Sequence, residues 1–327
     1  MVRKSFPAVT LIENEENSGF AKANNQAVAV ARGEYICILN PDTVVAENTF
    51  TTIFETMPAE KNLGIIGPRL INGIGNFLPE SKRNVPTPAV SLSRFFNIKV
   101  GNHPNYYADH IKQEGTAKVK VLVGAFMFCR KQMFEAVDGF DKDYFMYGED
   151  IDISYKMIKN NFENYYFGAI PVIHYKGEST DRNTVYIERF YGAMQLFYKK
   201  HFKTNWLLDA LILIGIKGLS FSKSFQKNNN ECPQPSGYLL ISENKELQQK
   251  ISAKLSQKIP FYTNTYLANP TENTEIIFDA SYNSYQYIIQ KMMELSGKNN
   301  TFKIVPNRCN FMLGSNQSDG KGEVILF

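Results

Sequence analysis

Residues 35–43 read Tyr35-Ile36-Cys37-Ile38-Leu39-Asn40-Pro41-Asp42-Thr43 and join an apolar run to a polar turn. An uninterrupted apolar run of this length is typical of a strand inside a parallel sheet. Apolar residues at helical spacing precede the run over 20–32 and follow it over 47–57, and a further strand is predicted at 63–66. This alternation predicts an α/β fold with a mostly parallel sheet.

The same alternation continues on both sides of this unit. Strands are predicted at residues 8–12, 119–128 and 165–173, and helices at 130–137, 150–160 and 184–201. Residues 72–118 lack clear periodicity and contain several glycines and prolines, so we expect an irregular region with one helix near 89–96.

A second, smaller α/β domain is predicted near the carboxyl terminus. Strands at 238–241, 275–278 and 302–305 alternate with helices at 246–257 and 284–295. The predicted organisation is therefore a first domain over 1–200, a connector over 201–232 and a small Rossmann-like domain over 233–327. In the last domain, Asp279 and the loop 314–320 either cradle a phosphate or form ordinary surface loops.

The connector contains an apolar stretch at 206–216 flanked by lysines. Eleven residues are too few to span a bilayer, which needs about 20. The segment is either a helix that joins the two domains or a peripheral contact with an anionic membrane surface.

Composition excludes several classes of protein. The chain has 327 residues, of which 43% are hydrophobic and 21% charged, as in ordinary soluble domains rather than disordered, collagen-like or polytopic membrane proteins. A net charge of +4 gives no indication of nucleic-acid binding. The four cysteines lack metal-ligand spacing, which favours buried thiols in a reducing compartment such as the cytoplasm.

Three polar clusters fall where catalytic groups gather in such folds, beyond the ends of strands. Asp42 either holds a divalent cation or serves as a turn residue or helix cap. Glu149, Asp150 and Asp152 either cap a helix or include a general base beside aromatic residues. His174 is a possible metal ligand, and Lys176 could meet phosphate oxygens, unless the segment is a plain polar loop.

The order of the motifs is more specific than any single cluster. The chain carries Asn17-Ser18-Gly19-Phe20, Asn40-Pro41-Asp42-Thr43, Val123-Gly124-Ala125-Phe126, Gly139-Phe140-Asp141, Gly148-Glu149-Asp150 and His174-Tyr175-Lys176-Gly177-Glu178-Ser179. Over roughly residues 8–200 this series resembles family 2 glycosyltransferases, most of all the branch described as rhamnosyltransferases.

The resemblance implies a GT-A fold, a nucleotide-diphosphate sugar donor and inversion at the anomeric carbon. It implies that Asp42 has the metal–diphosphate role, with Asn40 where the first acid of the usual D-x-D motif would stand. Asp150 would be the catalytic base, beside Glu149. His174 would be a further ligand of a divalent cation, Mg²⁺ or Mn²⁺.

The remaining motif residues receive roles from the same resemblance. Asn17, Gly19 and Asn25 would lie near the donor nucleotide, and Lys176 would neutralise its diphosphate. Gly124, Ala125 and Tyr147 would lie near the sugar and the acceptor.

The predicted function is transfer of a rhamnose-like sugar to a saccharide or lipid-linked acceptor in bacterial cell-surface polysaccharide synthesis, in the cytoplasm or on the inner face of its membrane. Two alternatives remain: a catalytically silent nucleotide-sugar binding or scaffolding protein, and a nucleotidyltransferase. The motif residues argue against the first, and the Glu149-Asp150 and His174 motifs have no purpose in the second.

The start of the chain carries one further expectation. In the family that it resembles, a first strand and helix precede the segment that matches Asn17, and the end of that strand holds the base and ribose of the donor. Here 16 residues precede Asn17. We therefore expect the chain as given to be poorly active and an upstream extension to restore donor binding.

Overall fold

The computed structural model describes residues 2–91, 104–176, 184–202, 235–262, 272–317 and 322–327. Within these ranges it contains two sheets, each of six strands, with helices packed on them.

The helices and strands follow the apolar periodicity of the sequence closely. In chain order the elements are α1 (Val2–Ser5), α2 (Gly19–Val30), β1 (Tyr35–Leu39), β2 (Thr43–Val44), α3 (Thr49–Thr56), β3 (Leu63–Ile71), a 3₁₀ turn (Pro79–Ser81), β4 (Thr116–Val119), β5 (Phe126–Arg130), α4 (Lys131–Ala136), α5 (Glu149–Lys159), β6 (Glu163–His174), α6 (Thr184–His201), β7 (Gly237–Ile241), α7 (Lys245–Lys254), β8 (Phe261–Tyr262), β9 (Thr274–Asp279), α8 (Tyr285–Leu295), β10 (Thr301–Val305), β11 (Phe311–Ser315) and β12 (Glu323–Leu326).

The first sheet has the order β1-β5-β3-β6-β2, and β4 pairs with β6 as well. Strands β1 and β3 both run antiparallel to β5, and β3 runs parallel to β6. It follows that β1, β3 and β6 point in one direction, as the strand–helix–strand pattern of the sequence predicts. Their carboxyl ends therefore lie along the same edge of the sheet.

The α/β prediction is confirmed, but the expectation of a mostly parallel first sheet is wrong for the described ladders. Strand β5 lies between β1 and β3 and reverses the pairing on both of its edges. The direction of β5 cannot be predicted from the local sequence, because the apolar composition of a buried strand is the same whichever way the strand runs. The predicted strand at 119–128 is also split into β4 and β5.

The second sheet has the order β12-β11-β10-β9-β7-β8. Strands β8, β7, β9 and β10 are parallel, whereas β11 and β12 are antiparallel additions at one side. The predicted small α/β module is therefore present. Gly314 and Ser315 belong to β11 and are paired with β10, so they do not form the loop expected at 314–320.

A shared hydrophobic cluster joins the second sheet to the first. Ile71 and Ile173 of the first sheet pack with Ile276 and Phe278 of β9 and with Met292 of α8, all of them buried. At the same junction, the Glu47 carboxylate accepts hydrogen bonds from the first backbone N–H groups of α8, those of Tyr285 at 2.7 Å and Gln286 at 3.1 Å. The second sheet thus supports the part of the first sheet where β2 and β6 meet.

The strand predicted at residues 8–12 is absent from the structure. Residues 8–12 form no strand: they pair with no described strand, and Val9, Leu11 and Ile12 are exposed. A β-prone run becomes a strand only where a neighbouring edge completes its backbone hydrogen bonds.

The apolar, lysine-flanked stretch at 206–216 and most of the helix predicted near 89–96 lie outside the described residues. Among the described helices, none combines the length and the apolar content needed to cross a bilayer.

Candidate functional site

The candidate site forms where β1 and β6 end. Thr43 of β2 lies opposite His174 in the β2–β6 ladder, and the Tyr175 N–H donates a 3.0 Å hydrogen bond to the Asp42 carbonyl. The chain leaving β1 is thereby folded onto the end of β6. This pairing brings together two of the three polar clusters found in the sequence.

The His174 imidazole faces the Asp42 carboxylate across a distance of 3.4 Å between Nε2 and Oδ1. Both side chains are largely buried, yet Oδ1 of Asp42 and Nδ1 of His174 have no hydrogen-bond partner. Burial raises the pKa of Asp42, but the adjacent His174 and backbone hydrogen bonding together bring this pKa below its ordinary value. The carboxylate therefore stays ionised at neutral pH.

A carboxylate oxygen without a hydrogen-bond partner and the imidazole nitrogen that faces it are suitable ligands for a divalent cation. The described residues contain no group of three or more His, Cys, Asp and Glu side chains able to hold a metal ion. Asp42 and His174 thus fit a site that holds a cation only with additional ligands from a bound molecule, as Mg²⁺ commonly is held between carboxylates and phosphates.

Gly124 and Ala125 connect this pair to the third cluster. The Ala125 carbonyl accepts a 3.0 Å hydrogen bond from the Asn40 N–H, and the Gly124 N–H donates to Oδ2 of Asp150 at 3.2 Å. A β-carbon at Gly124 would approach the Asp150 β-carbon at 3.4 Å. Two consecutive residues before β5 thus link the Asn40–Asp42 turn to the predicted base.

The acidic cluster begins α5, and its backbone turns sharply just before. Tyr147 has φ +70° and Gly148 has φ +79°, both in the left-handed region. The turn directs Glu149 and Asp150 inward, where both are buried. Burial, followed by the negative charge of Asp150, raises the pKa of Glu149 to about 8. Glu149 is therefore mainly protonated at neutral pH.

The third carboxylate of the cluster is directed elsewhere. Oδ1 of Asp152 lies 2.6 Å from Nε2 of His201 in α6, and its Oδ2 lies 3.6 Å from the Lys156 ammonium. The Asp152 charge is therefore balanced by partners that Glu149 and Asp150 do not share. Asp152 ties α5 to α6, while Glu149 and Asp150 remain in the candidate site.

Arg83 completes the cluster and is not among the residues predicted from sequence. Its guanidinium donates to Oδ2 of Asp150 at 2.6 Å and to the Leu122 carbonyl at 2.7 Å. Burial lowers the pKa of Arg83, but the Asp150 carboxylate and the Tyr106 hydroxyl together raise it by more, so the guanidinium stays charged. The only sequence signal was a pair of adjacent cations, Lys82 and Arg83, in the aperiodic region.

The Asn17–Asn25 segment contacts the motifs that surround the site. The Asn17 side chain accepts a hydrogen bond from the Gly19 N–H at 3.0 Å. Gly19 has φ +79°, and a β-carbon there would lie 2.5 Å from the Phe145 carbonyl oxygen. The Asn25 side-chain amide donates a hydrogen bond to the Phe140 carbonyl at 2.7 Å and accepts one from the Phe140 N–H at 3.0 Å. The structure thus shows Gly19 and Asn25 joining motifs to one another, and their predicted proximity to a nucleotide stays a prediction.

Lys176 follows directly after the Asp42–His174 pair and adopts φ +54°. Its ammonium forms an ion pair with Glu80 of the 3₁₀ turn. Burial raises the pKa of Glu80, but the charge and hydrogen bond of Lys176, with smaller contributions from the backbone and Arg83, together lower this pKa overall. Lys176 is therefore near the position predicted for phosphate contact, with its charge already balanced by Glu80.

Comparison with known proteins agrees with the motif series. Residues 1–138 match the family model described as "Glycosyl transferase family 2". The chain is 26% identical over 201 residues to N-acetylglucosaminyl-diphospho-decaprenol L-rhamnosyltransferase of Mycobacterium tuberculosis, covering 54% of this chain and 62% of that protein. It is 27% identical over 167 residues to rhamnosyltransferase WbbL of Escherichia coli strain K12, covering 48% and 61%.

A third relative is the low-salt glycan biosynthesis hexosyltransferase Agl10 of Haloferax volcanii, which is 23% identical over 222 residues, covering 64% of this chain and 68% of that protein. The chain spans about three fifths of the length of the two rhamnosyltransferases that it matches. The resemblance predicted from the motif order is confirmed by these matches.

Proposed function

We propose, from the glycosyl transferase family 2 domain at residues 1–138, that this chain transfers a sugar from a nucleotide-diphosphate donor to an acceptor hydroxyl. The observation that carries the proposal is the linkage of the Asp42–His174 pair to the Glu149–Asp150 pair through the backbone of Gly124 and Ala125. The rhamnosyltransferase relatives favour a rhamnose-like sugar and a lipid-linked or saccharide acceptor.

The Asp42–His174 pair would bind the diphosphate end of the donor. A divalent cation held by Asp42 and His174 together with the diphosphate would supply the positive charge that a departing diphosphate needs. The Asp42 Oδ1 atom, which lacks a hydrogen-bond partner, and the His174 Nε2 atom that faces it at 3.4 Å support this role. Lys176 would have to leave Glu80 to contribute a second positive charge to the phosphates.

The Asp150 carboxylate would accept the proton of the acceptor. A bond forms between the acceptor oxygen and the anomeric carbon while the bond from that carbon to the diphosphate oxygen breaks, and the hydroxyl proton passes to Asp150. Attack from the face opposite the diphosphate inverts the anomeric centre and requires no covalent sugar–enzyme intermediate. Glu149, protonated beside Asp150, would donate a hydrogen bond within the same pocket.

A panel of nucleotide sugars tests the proposed activity. The protein is incubated with each donor, with and without EDTA, and release of the nucleoside diphosphate is followed. We expect one donor to be consumed and EDTA to suppress its consumption. Binding of a donor without any consumption, in the presence of candidate saccharide and polyprenyl-diphosphate acceptors, would instead favour a nucleotide-sugar binding protein.

A further inference from the structure

Arg83 contacts the predicted base at the same carboxylate oxygen as the Gly124 backbone. Its terminal nitrogen donates both to Oδ2 of Asp150 at 2.6 Å and to the Leu122 carbonyl at 2.7 Å. The side chains of Arg83 and Asp150 are only 8% and 12% exposed. Buried charges interact strongly because little water screens them, so this contact differs in kind from a surface ion pair.

The backbone around Arg83 is fixed as firmly as its guanidinium. The Arg83 N–H donates to the Val121 carbonyl, and the Val121 N–H donates to the Arg83 carbonyl, both at 3.0 Å. The other terminal nitrogen of the guanidinium lies 3.4 Å from the Tyr106 hydroxyl. The segment that carries Arg83 is thus anchored to the chain leading into Gly124, which itself contacts Asp150.

The charge balance around Asp150 depends on this arginine. Glu149 is the adjacent buried carboxyl, Arg83 is the adjacent cation, and the Tyr106 hydroxyl lies beyond the guanidinium. Asp152, farther along α5, is engaged by His201 and Lys156. Ionising two adjacent buried carboxyls is unfavourable because the two negative charges repel each other. A single neighbouring cation therefore decides which of the two carries the charge.

We propose that Arg83 is a positioning residue that keeps Asp150, rather than Glu149, as the ionised carboxylate and, by occupying Oδ2 together with Gly124, leaves Oδ1 to accept the proton. This inference rests on the proposed glycosyl transfer. The geometry supports it, because Oδ2 receives hydrogen bonds from both Arg83 and Gly124, while Oδ1 accepts one from the Ile151 N–H at 2.8 Å. The high pKa of Glu149, about 8, agrees with this division of charge.

The test compares R83Q and R83K by their pH profiles of kcat/KM. We expect R83Q to move the acidic limb to about pH 8 or higher, so that kcat/KM falls at least about tenfold at pH 7 and recovers at higher pH. R83K keeps the positive charge but lacks the planar guanidinium with its several N–H donors. Its kcat should therefore fall a few-fold, while the acidic limb of the pH profile stays almost where it is in the wild type.

Lys82 supplies the matched control, because it is also buried and cationic but donates to the Ala108 carbonyl instead of to Asp150. K82Q should lower stability and leave the acidic limb in place. An equal shift in K82Q and R83Q, or an unshifted limb in R83Q, would overturn the proposal. If R83Q does not fold, R83K still tests the proposal. A shift of its acidic limb as large as that expected for R83Q would overturn the proposal, because R83K retains the positive charge.

An infrared measurement without turnover separates this inference from the proposed activity. The carboxyl stretching band is recorded at pH 7 for the wild type and D150N, and again for R83Q and the R83Q/D150N double variant. We expect D150N to remove a protonated carboxyl band only when Arg83 has been replaced. Loss of such a band in the presence of Arg83 would contradict the proposal even if the protein proves to be an active glycosyltransferase.

Discussion

Nε2 of His174, at the end of β6, lies 3.4 Å from Oδ1 of Asp42, in the turn that follows β1. The contact exists because β1 and β6 point in the same direction and because β2 pairs with the last residues of β6. Two side chains far apart in the sequence are thereby held close together, and both retain a buried atom without a hydrogen-bond partner.

The first prediction concerns this pair. H174A should raise the divalent-cation concentration needed for half-maximal donor binding by about tenfold, which corresponds to about 1.4 kcal/mol, because one of two nitrogen or oxygen ligands is lost. The measurement is calorimetric titration of the donor at several Mn²⁺ concentrations. H110A, at an exposed histidine, is the control and should bind as the wild type does. Unchanged cation dependence in H174A would contradict the assignment.

The second prediction concerns the pH dependence of stability. The pKa of Glu149 in the folded protein, about 8, is above its ordinary value of 4.5. Between these values the folded state binds more protons than the unfolded state, so the free energy of unfolding should fall as pH rises from about 5 to about 8.

E149Q should remove this fall, which we expect to be roughly 2–4 kcal/mol in the wild type. Urea unfolding at intervals of one pH unit measures it. E135Q, at an exposed glutamate of α4, should keep the wild-type slope. A slope of wild-type size in E149Q would show that other groups carry the effect.

The third prediction concerns the junction between the two sheets. Glu47 accepts hydrogen bonds from the first N–H groups of α8 and so acts as a cap supplied by another part of the chain. E47Q should lower the free energy of unfolding by about 1 kcal/mol, the usual scale of a helix cap. It should also weaken donor binding slightly, because the chain between Asp42 and Glu47 loses an anchor.

Glu55, an exposed residue of α3, provides the control for this prediction. E55Q also removes one negative charge from an exposed position but removes no helix cap. Equal stability of E47Q and E55Q in chemical denaturation would reject the role given to Glu47.

The fourth prediction concerns Gly19, which combines φ +79° with a close approach to the Phe145 carbonyl. G19A should cost more than about 1 kcal/mol of stability, because a β-carbon is strained at this φ and would collide with backbone. Gly192 in α6 has open space around it, so G192A should be neutral or slightly stabilising. Thermal unfolding of both variants checks the comparison, and equal midpoints would be inconsistent with it.

Much of this fold follows from apolar periodicity. The runs at 35–39, 238–241 and 302–305 form strands, and the helical spacing at 20–32, 150–160 and 284–295 forms helices. The grouping of Asp42 with His174 is also predictable, since strands that point in one direction place their carboxyl ends at one edge.

Other features could not be predicted, for physical reasons. The insertion of β5 between β1 and β3 depends on long-range pairing that local sequence does not encode. Arg83 reaches Asp150 from a region without periodicity, where the chain path is set by tertiary contacts such as those with Val121. Residues 8–12 have strand composition but no described edge to pair with, so composition alone was misleading there.

The central claim is that Asp150 accepts a proton at a site whose donor is held by Asp42 and His174. The most direct measurement compares wild type and D150N for donor affinity and for single-turnover sugar transfer with the donor that the panel selects. We expect donor affinity within about twofold of wild type and transfer slower by at least about a hundredfold, because general-base catalysis commonly contributes a factor of this size. Transfer by D150N at the wild-type rate would contradict the account.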